Sequence, residues 1–167
     1  MKNQRPALNR RSLGLSFIAA AALASAAGAW AQAKPIVIGL PIAQSGPAGV
    51  ADHADFLNGA KLAAKEINAA GGVNGRNIEL KVFDIDIMTP EGTQATFRKM
   101  VDAKVHAIAS PFVLIPTPAM EAVARYKAPY LHGNTMQASL DLVKANPSKF
   151  GHIFQIDPPE TFYGAGF

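Results

Sequence analysis

The 167-residue chain contains no cysteine. That absence removes disulfides, thiolate metal sites and thiol nucleophiles, and it rules out a lipid-modified cysteine at the end of any leader. Beyond the first 33 residues no internal repeat or low-complexity segment is present, so solenoid, collagen-like and disordered architectures are excluded. No apolar run reaches the roughly 20 residues needed to cross a bilayer comfortably. Several chemical signatures are also missing: no H-E-x-x-H, no G-x-G-x-x-G, no Gly-Lys-Ser/Thr phosphate loop and no G-x-S-x-G elbow.

Negative charge is absent from the start of the chain, where Lys2, Arg5, Arg10 and Arg11 are the only charged residues before Lys34. The formal charge of +4 is therefore local, because removing these four leaves twelve basic residues against twelve acidic ones. A neutral body gives no electrostatic footprint for nucleic acid. The basic start leads into an uncharged Ala- and Leu-rich run from Leu13 to Ala27, then Gly28-Ala29-Trp30-Ala31-Gln32-Ala33. Basic, apolar, then small residues at A-x-A spacing is the layout of a cleavable secretory signal. Residues 1–31 are expected to be that signal, with cleavage after Ala31 or after Ala33. Asn9-Arg10-Arg11-Ser12-Leu13 is a partial twin-arginine pattern, which leaves the Sec and Tat routes both open. The mature chain is expected outside the cytoplasm, in a periplasm, with no stable membrane insertion.

Of the whole chain 49% is hydrophobic, and in the mature part this content is patterned. Pro35 to Ile42 is a nearly unbroken apolar run of strand length, followed by the turn cluster Gln44 to Gly49. Phe56, Ala60, Ala63, Ala64 and Ile67 recur at helical spacing, with Asp55 the expected N-cap and Gly71-Gly72 the stop. Ile78, Leu80 and Val82 alternate with Glu79 and Lys81, which suits a strand at a sheet edge. Thr89-Pro90-Glu91 reads as a helix start. The cycle continues with a strand over Val105 to Ala109, a helix start at Thr117-Pro118, a strand from Ala128 to Leu131, a short helix over 140–145 and a strand over Ile153 to Ile156. This alternation predicts an α/β fold with a doubly wound parallel sheet. Ligands of such sheets bind beyond the carboxyl ends of the strands, here Ser45 to Gly49, Asp84 to Thr89, Ser110 to Thr117 and His132 to Thr135.

Little at those ends points to covalent chemistry. Asp84 and Asp86, two apart, could share a face and hold a hard cation, but two carboxylates without an Asx-rich loop fit turn solvation better. His53, His106, His132 and His152 are scattered, and only His132 falls at an expected strand end. No metal or cofactor is expected, and an enzyme has no positive support beyond the breadth of the fold class.

The ordered segments Ile36-Val37-Ile38-Gly39, Ser45-Gly46-Pro47, Asn58-Gly59-Ala60 and Ile67-Asn68-Ala69-Ala70-Gly71-Gly72-Val73-Asn74-Gly75-Arg76 carry a resemblance, with Asp84 closing the next strand. They resemble the start of periplasmic solute-binding proteins of ABC transporters, of the branched-chain amino acid (leucine/isoleucine/valine-binding) type. Val105 to Ser110, Thr117-Pro118-Ala119 and Tyr126 to Tyr130 continue the likeness in order. The resemblance implies a type I periplasmic-binding-protein-like lobe over 34–157, a crossing segment begun by 158–167, and a second lobe that this chain lacks. It further implies a small solute held as two lobes close, then delivery to an ABC permease in the inner membrane.

By position, the resemblance places solute contacts on three loops. The first contributes Ser45; the second contributes Ser110, Phe112, Val113 and Thr117; the third contributes His132, Asn134 and Thr135. Hydroxyls and backbone N–H groups are what a carboxylate removed from water requires. The second loop departs from the pattern, because Pro111 and Pro116 remove donors and Phe112 to Ile115 are apolar. A less polar solute, such as an aromatic acid or an amide, is as compatible with that loop as leucine, unless Leu114 and Ile115 are core. The runner-up functions are a ligand-sensing receptor domain of the same fold and a periplasmic enzyme. Alone, one lobe is expected to bind solute weakly or not at all.

Overall fold

The computed structural model describes residues 34–164. The expected signal over 1–31, its cleavage after Ala31 or Ala33, and residues 165–167 lie outside the described residues. Five strands alternate with helices: β1 Ile36–Ile42, α1 Val50–Ala69, β2 Ile78–Asp84, α2 Pro90–Asp102, β3 Ala107–Ser110, α3 Pro116–Ala124, β4 Tyr130–His132, α4 Gln137–Ala145, α5 Pro147–Phe150 and β5 Ile153–Gln155. A short 3-10 turn, Glu160–Phe162, follows. The sheet has the order β2-β1-β3-β4-β5, and every pairing is parallel. The alternating strand with Glu79 and Lys81 is indeed at the edge, where one wet face carries no penalty.

Side chains alternate between the two faces of each strand. On one face Ile108, Tyr130 and Ile153 pack with Phe97 and Met100 of α2, Met120 and Val123 of α3, and Phe150 of α5, all buried. On the other, Ile38, Leu40 and Leu80 meet α1 through Ala60 and Ala64 across an apolar gap of about 170 Å³. Helices therefore lie on both faces, as a doubly wound sheet requires.

Helix ends show where side chains set the boundary and where backbone does. Thr89 caps α2 by accepting from Gly92 N at 3.1 Å, and Pro90 opens the helix. Gly71 and Gly72, at φ 98 and 74, end α1 with bonds from Gly71 N to Asn68 O and from Gly72 N to Ile67 O, a Schellman-type stop. A Cβ on Gly72 would run into the Arg76 carbonyl. Two expected starts are corrected. Asp55 is not the cap of α1, which begins at Val50 after Gly49 in the left-handed region at φ 75, with no side-chain cap. Thr117 does not cap α3 either; the helix starts one residue earlier at Pro116, behind Ile115. The helix expected over 140–145 begins at Gln137, and Asn146 then caps the separate turn α5 through Lys149 N at 3.2 Å.

Candidate functional site

The carboxyl ends of β1 to β4 lie along one edge of the sheet because all pairings are parallel. The strand order reverses at β1, whose neighbours are β2 on one side and β3 on the other. The pairing of β1 with β3 ends at Gly39↔Ile108, whereas β1 stays paired with β2 to Ile42↔Asp84. The β1 and β3 loops thus part from one another at the switch point of the strand order, the place where such sheets take ligands.

Ser45 is exposed at the rim, and its hydroxyl donates to Asp84 at the end of β2. Gln44 N donates to the same carboxylate at 2.8 Å. First the Ser45 hydroxyl and then the Gln44 N–H hold the Asp84 carboxyl below its ordinary range. With its proton committed, Ser45 offers a solute lone pairs rather than a donor. Asp86 turns to its own loop, accepting from Thr89 Oγ1 and Met88 N, both at 2.8 Å, and these bonds lower its pKa.

On the β3 loop, Ser110 is buried, donating to Pro111 O at 2.9 Å and lying 3.1 Å from Tyr130 OH. Burial pushes the Tyr130 phenol up, so it stays protonated and supplies the proton of that second bond. Phe112 is half-buried, with its carbonyl 3.0 Å from His53 Nε2 and its ring edge-on to His53. Val113 is buried, and its N–H donates to Asn134 Oδ1 at 2.7 Å. The loops after β3 and β4 are thus joined directly. Thr117 is exposed on α3, beside Pro90, Glu91 and Gln94 in a groove between α2 and α3, apart from these loop contacts.

On the β4 loop, His132 is buried against Tyr130, and its Nδ1 accepts from Asn134 N at 3.3 Å. Burial pushes its pKa down to about 4, opposed by the Asp157 charge. Asn134 is buried, and its Nδ2 has no partner among the described residues. Thr135 is half-buried and accepts Glu160 N through its carbonyl at 2.6 Å, which ties the last turn to the site. The segments 43–49, 84–89, 110–115 and 132–136 contain no Lys or Arg. Any anion here would meet neutral donors only.

Two residues that hold these loops were not marked as such by sequence. Asp84 was read as a solvated turn residue, yet it orients Ser45. His53 looked like one scattered histidine, yet it is fully buried between the loops after β1 and β3. Neither carries a local signal, since the partners are 39 and 59 residues away. Among the described residues, no three His, Asp or Glu gather to hold a metal. No described helix is long and apolar enough to cross a membrane.

Comparison with known proteins places this geometry. The profile of the periplasmic binding protein family matches residues 35–160. The Leu/Ile/Val-binding protein homolog 1 of Brucella abortus is 35% identical over 82 residues, 49% of this chain and 21% of that protein. A crystal structure described as a branched-chain amino acid ABC transporter from Silicibacter pomeroyi superposes with a TM-score of 0.74 at 34% identity, covering 80% of this chain and 34% of the other. The branched-chain amino acid transporter substrate binding protein of Streptococcus pneumoniae, solved in complex with isoleucine, shares the fold with a TM-score of 0.63 at 24% identity, over 75% of this chain and 34% of that one. The chain thus spans about a third of the length of these solved structures. With a matched profile across most of its length and a five-stranded parallel sheet to match, the chain belongs to the periplasmic binding protein family.

Proposed function

We propose that residues 34–157 form the first lobe of an extracytoplasmic solute-binding component of an ABC transporter, with 158–167 beginning the crossing to a second lobe. The component takes up a branched-chain amino acid, or a similarly small carboxylated or amide solute, and delivers it unchanged to a permease in the inner membrane. Residues 1–31 act as the export signal, by the Sec or the Tat route, and the working compartment is the periplasm.

The observation that carries this reading is that three loops follow neighbouring strand ends on one edge of the parallel sheet. Ser45, Phe112 and Val113, and Asn134 with Thr135 stand on the strand ends flanking the point where strand order reverses. The names of the relatives supply the branched-chain class. The absence of basic residues from these loops favours a solute bound by hydrogen bonds and apolar contact over one bound by ion pairing. Phe112 on the β3 loop supports a second reading within the class, an aromatic acid or amide. A single lobe supplies one wall of a two-walled cleft, so its own affinity should be weak, with a dissociation constant of about 1 mM or above.

Calorimetric titration of the chain with leucine, isoleucine, valine, benzoate and benzamide, with glucose as a control, tests this. Weak heats for one of the acid or amide solutes and none for glucose are expected. Submicromolar binding would overturn the one-wall reading, and a preference for glucose would overturn the solute class. Neighbouring permease and ATPase genes would favour transport, whereas a neighbouring kinase or regulator would favour the sensing alternative.

A further inference from the structure

We propose that His53 is a positioning residue that sets the spacing of the β1 and β3 loops. The inference rests on the proposed solute site only for what those loops touch. His53 lies in the first turns of α1 and is completely buried. Its Nδ1 is 2.9 Å from Ala43 N, just past the end of β1. Its Nε2 is 3.0 Å from Phe112 O, just past the end of β3.

The two partners fix the ring's protonation. Ala43 N–H can only donate, so Nδ1 must be the acceptor, and the Phe112 carbonyl can only accept, so Nε2 must carry the hydrogen. One neutral tautomer satisfies both, and the imidazole spans the interval where β1 and β3 no longer pair. Packing holds the ring in place. Phe112 meets it edge-on, with centroids 5.1 Å apart at 88°. Gly49 closes over it so tightly that a Cβ there would lie 3.4 Å from His53 Cδ2 and 2.8 Å from Ile87 Cδ1. The ring thus also touches the residue whose left-handed backbone starts α1.

Protonation would place a second N–H at Nδ1, facing the Ala43 N–H, and two buried donors cannot bond each other. The charged group acting on the ring is Asp52 of the same helix; the β1 and β3 loops present to it only the Ala43 N–H, Gly49 and the Phe112 carbonyl and ring. Burial lowers the pKa of His53, keeping the bridging tautomer in place around neutral pH.

The experiment is nitrogen NMR of the labelled 167-residue chain, which needs no solute and so fails or succeeds independently of the solute assignment. At neutral pH the ring shifts should report the Nε2–H tautomer. As pH falls, titration of the ring should coincide with at least a tenfold loss of exchange protection at the Ala43 amide, while the Ile108 amide in the sheet stays protected. His53→Asn, whose amide oxygen can replace Nδ1, should retain Ala43 protection, and His53→Ala should lose it. If His53→Ala does not fold, the wild-type ring still decides. An Nδ1–H tautomer, or ring titration that leaves Ala43 protection unchanged, would overturn the proposal.

Discussion

Along β3, β4 and β5, Ile108, Tyr130 and Ile153 are 0%, 1% and 3% exposed and are aligned by the register Ile108↔Tyr130↔Ile153. One residue further on, Ala109↔Leu131↔Phe154 form the parallel row on the opposite face, where Leu131 and Phe154 are 41% and 50% exposed. The first row lies under α2, α3 and α5. On the second face, α1 covers β1 and β2 across an alanine-lined gap and reaches only as far as Ala109. Burying a large apolar side chain is worth about 1.5–3 kcal/mol, so along β3 to β5 the apolar stabilisation is concentrated on one face. The α1 face buries Leu40 and Ile42 of β1, and directional contacts add to them. Asn68 at the end of α1 donates to Ile78 O at 2.9 Å and accepts from Ile78 N at 2.7 Å, clamping the helix to the edge strand.

This asymmetry can be broken from either side. The largest effect should come from Phe97→Ala, which empties a fully buried site against Tyr130; urea denaturation should show a loss of about 3–5 kcal/mol. Next is acid. The folded pKa of His132 is about 4, below its unfolded value of 6.5, so the unfolded chain takes up the proton first. Stability is therefore full above the unfolded pKa and should fall by roughly 3 kcal/mol as pH drops through that window. His53 acts in the same direction. Urea midpoints at neutral and acid pH would check the sign, and stability that rises on acidification would contradict it.

Smaller effects should come from the α1 face. Asn68→Ala removes both bonds to Ile78 and should cost about 1–3 kcal/mol, with faster amide exchange at Ile78 as the local reporter. Phe154→Ser should change stability by no more than about 0.5 kcal/mol. Equal losses for Phe97→Ala and Phe154→Ser would erase the distinction between the faces.

The sheet was legible because its signals are local and repeated. Apolar runs bounded by turns marked the strands, and the wet residues Glu79 and Lys81 marked the edge. Thr89-Pro90 announced a helix because a side chain makes the cap. Asp55 and Thr117 were misjudged because the true starts, at Gly49 and Ile115, use backbone conformation without a capping side chain. The site was less legible for a related reason. The Ser45 proton goes to a carboxylate 39 residues on, Val113 N–H to an amide 21 residues on, and His53 to two backbone groups. Residue type alone suggested donors for a solute; only the fold shows which donors are already occupied.

The most direct test of the proposed solute edge is amide shift mapping of the labelled chain with leucine, and separately benzoate, at millimolar concentrations. The account predicts shifts centred on Ser45, Val113, Asn134 and Thr135, at the carboxyl ends of the strands. Shifts confined to the groove of Gln94, Arg98, Glu121 and Arg125, or to the open Leu131 and Phe154 row, would contradict it.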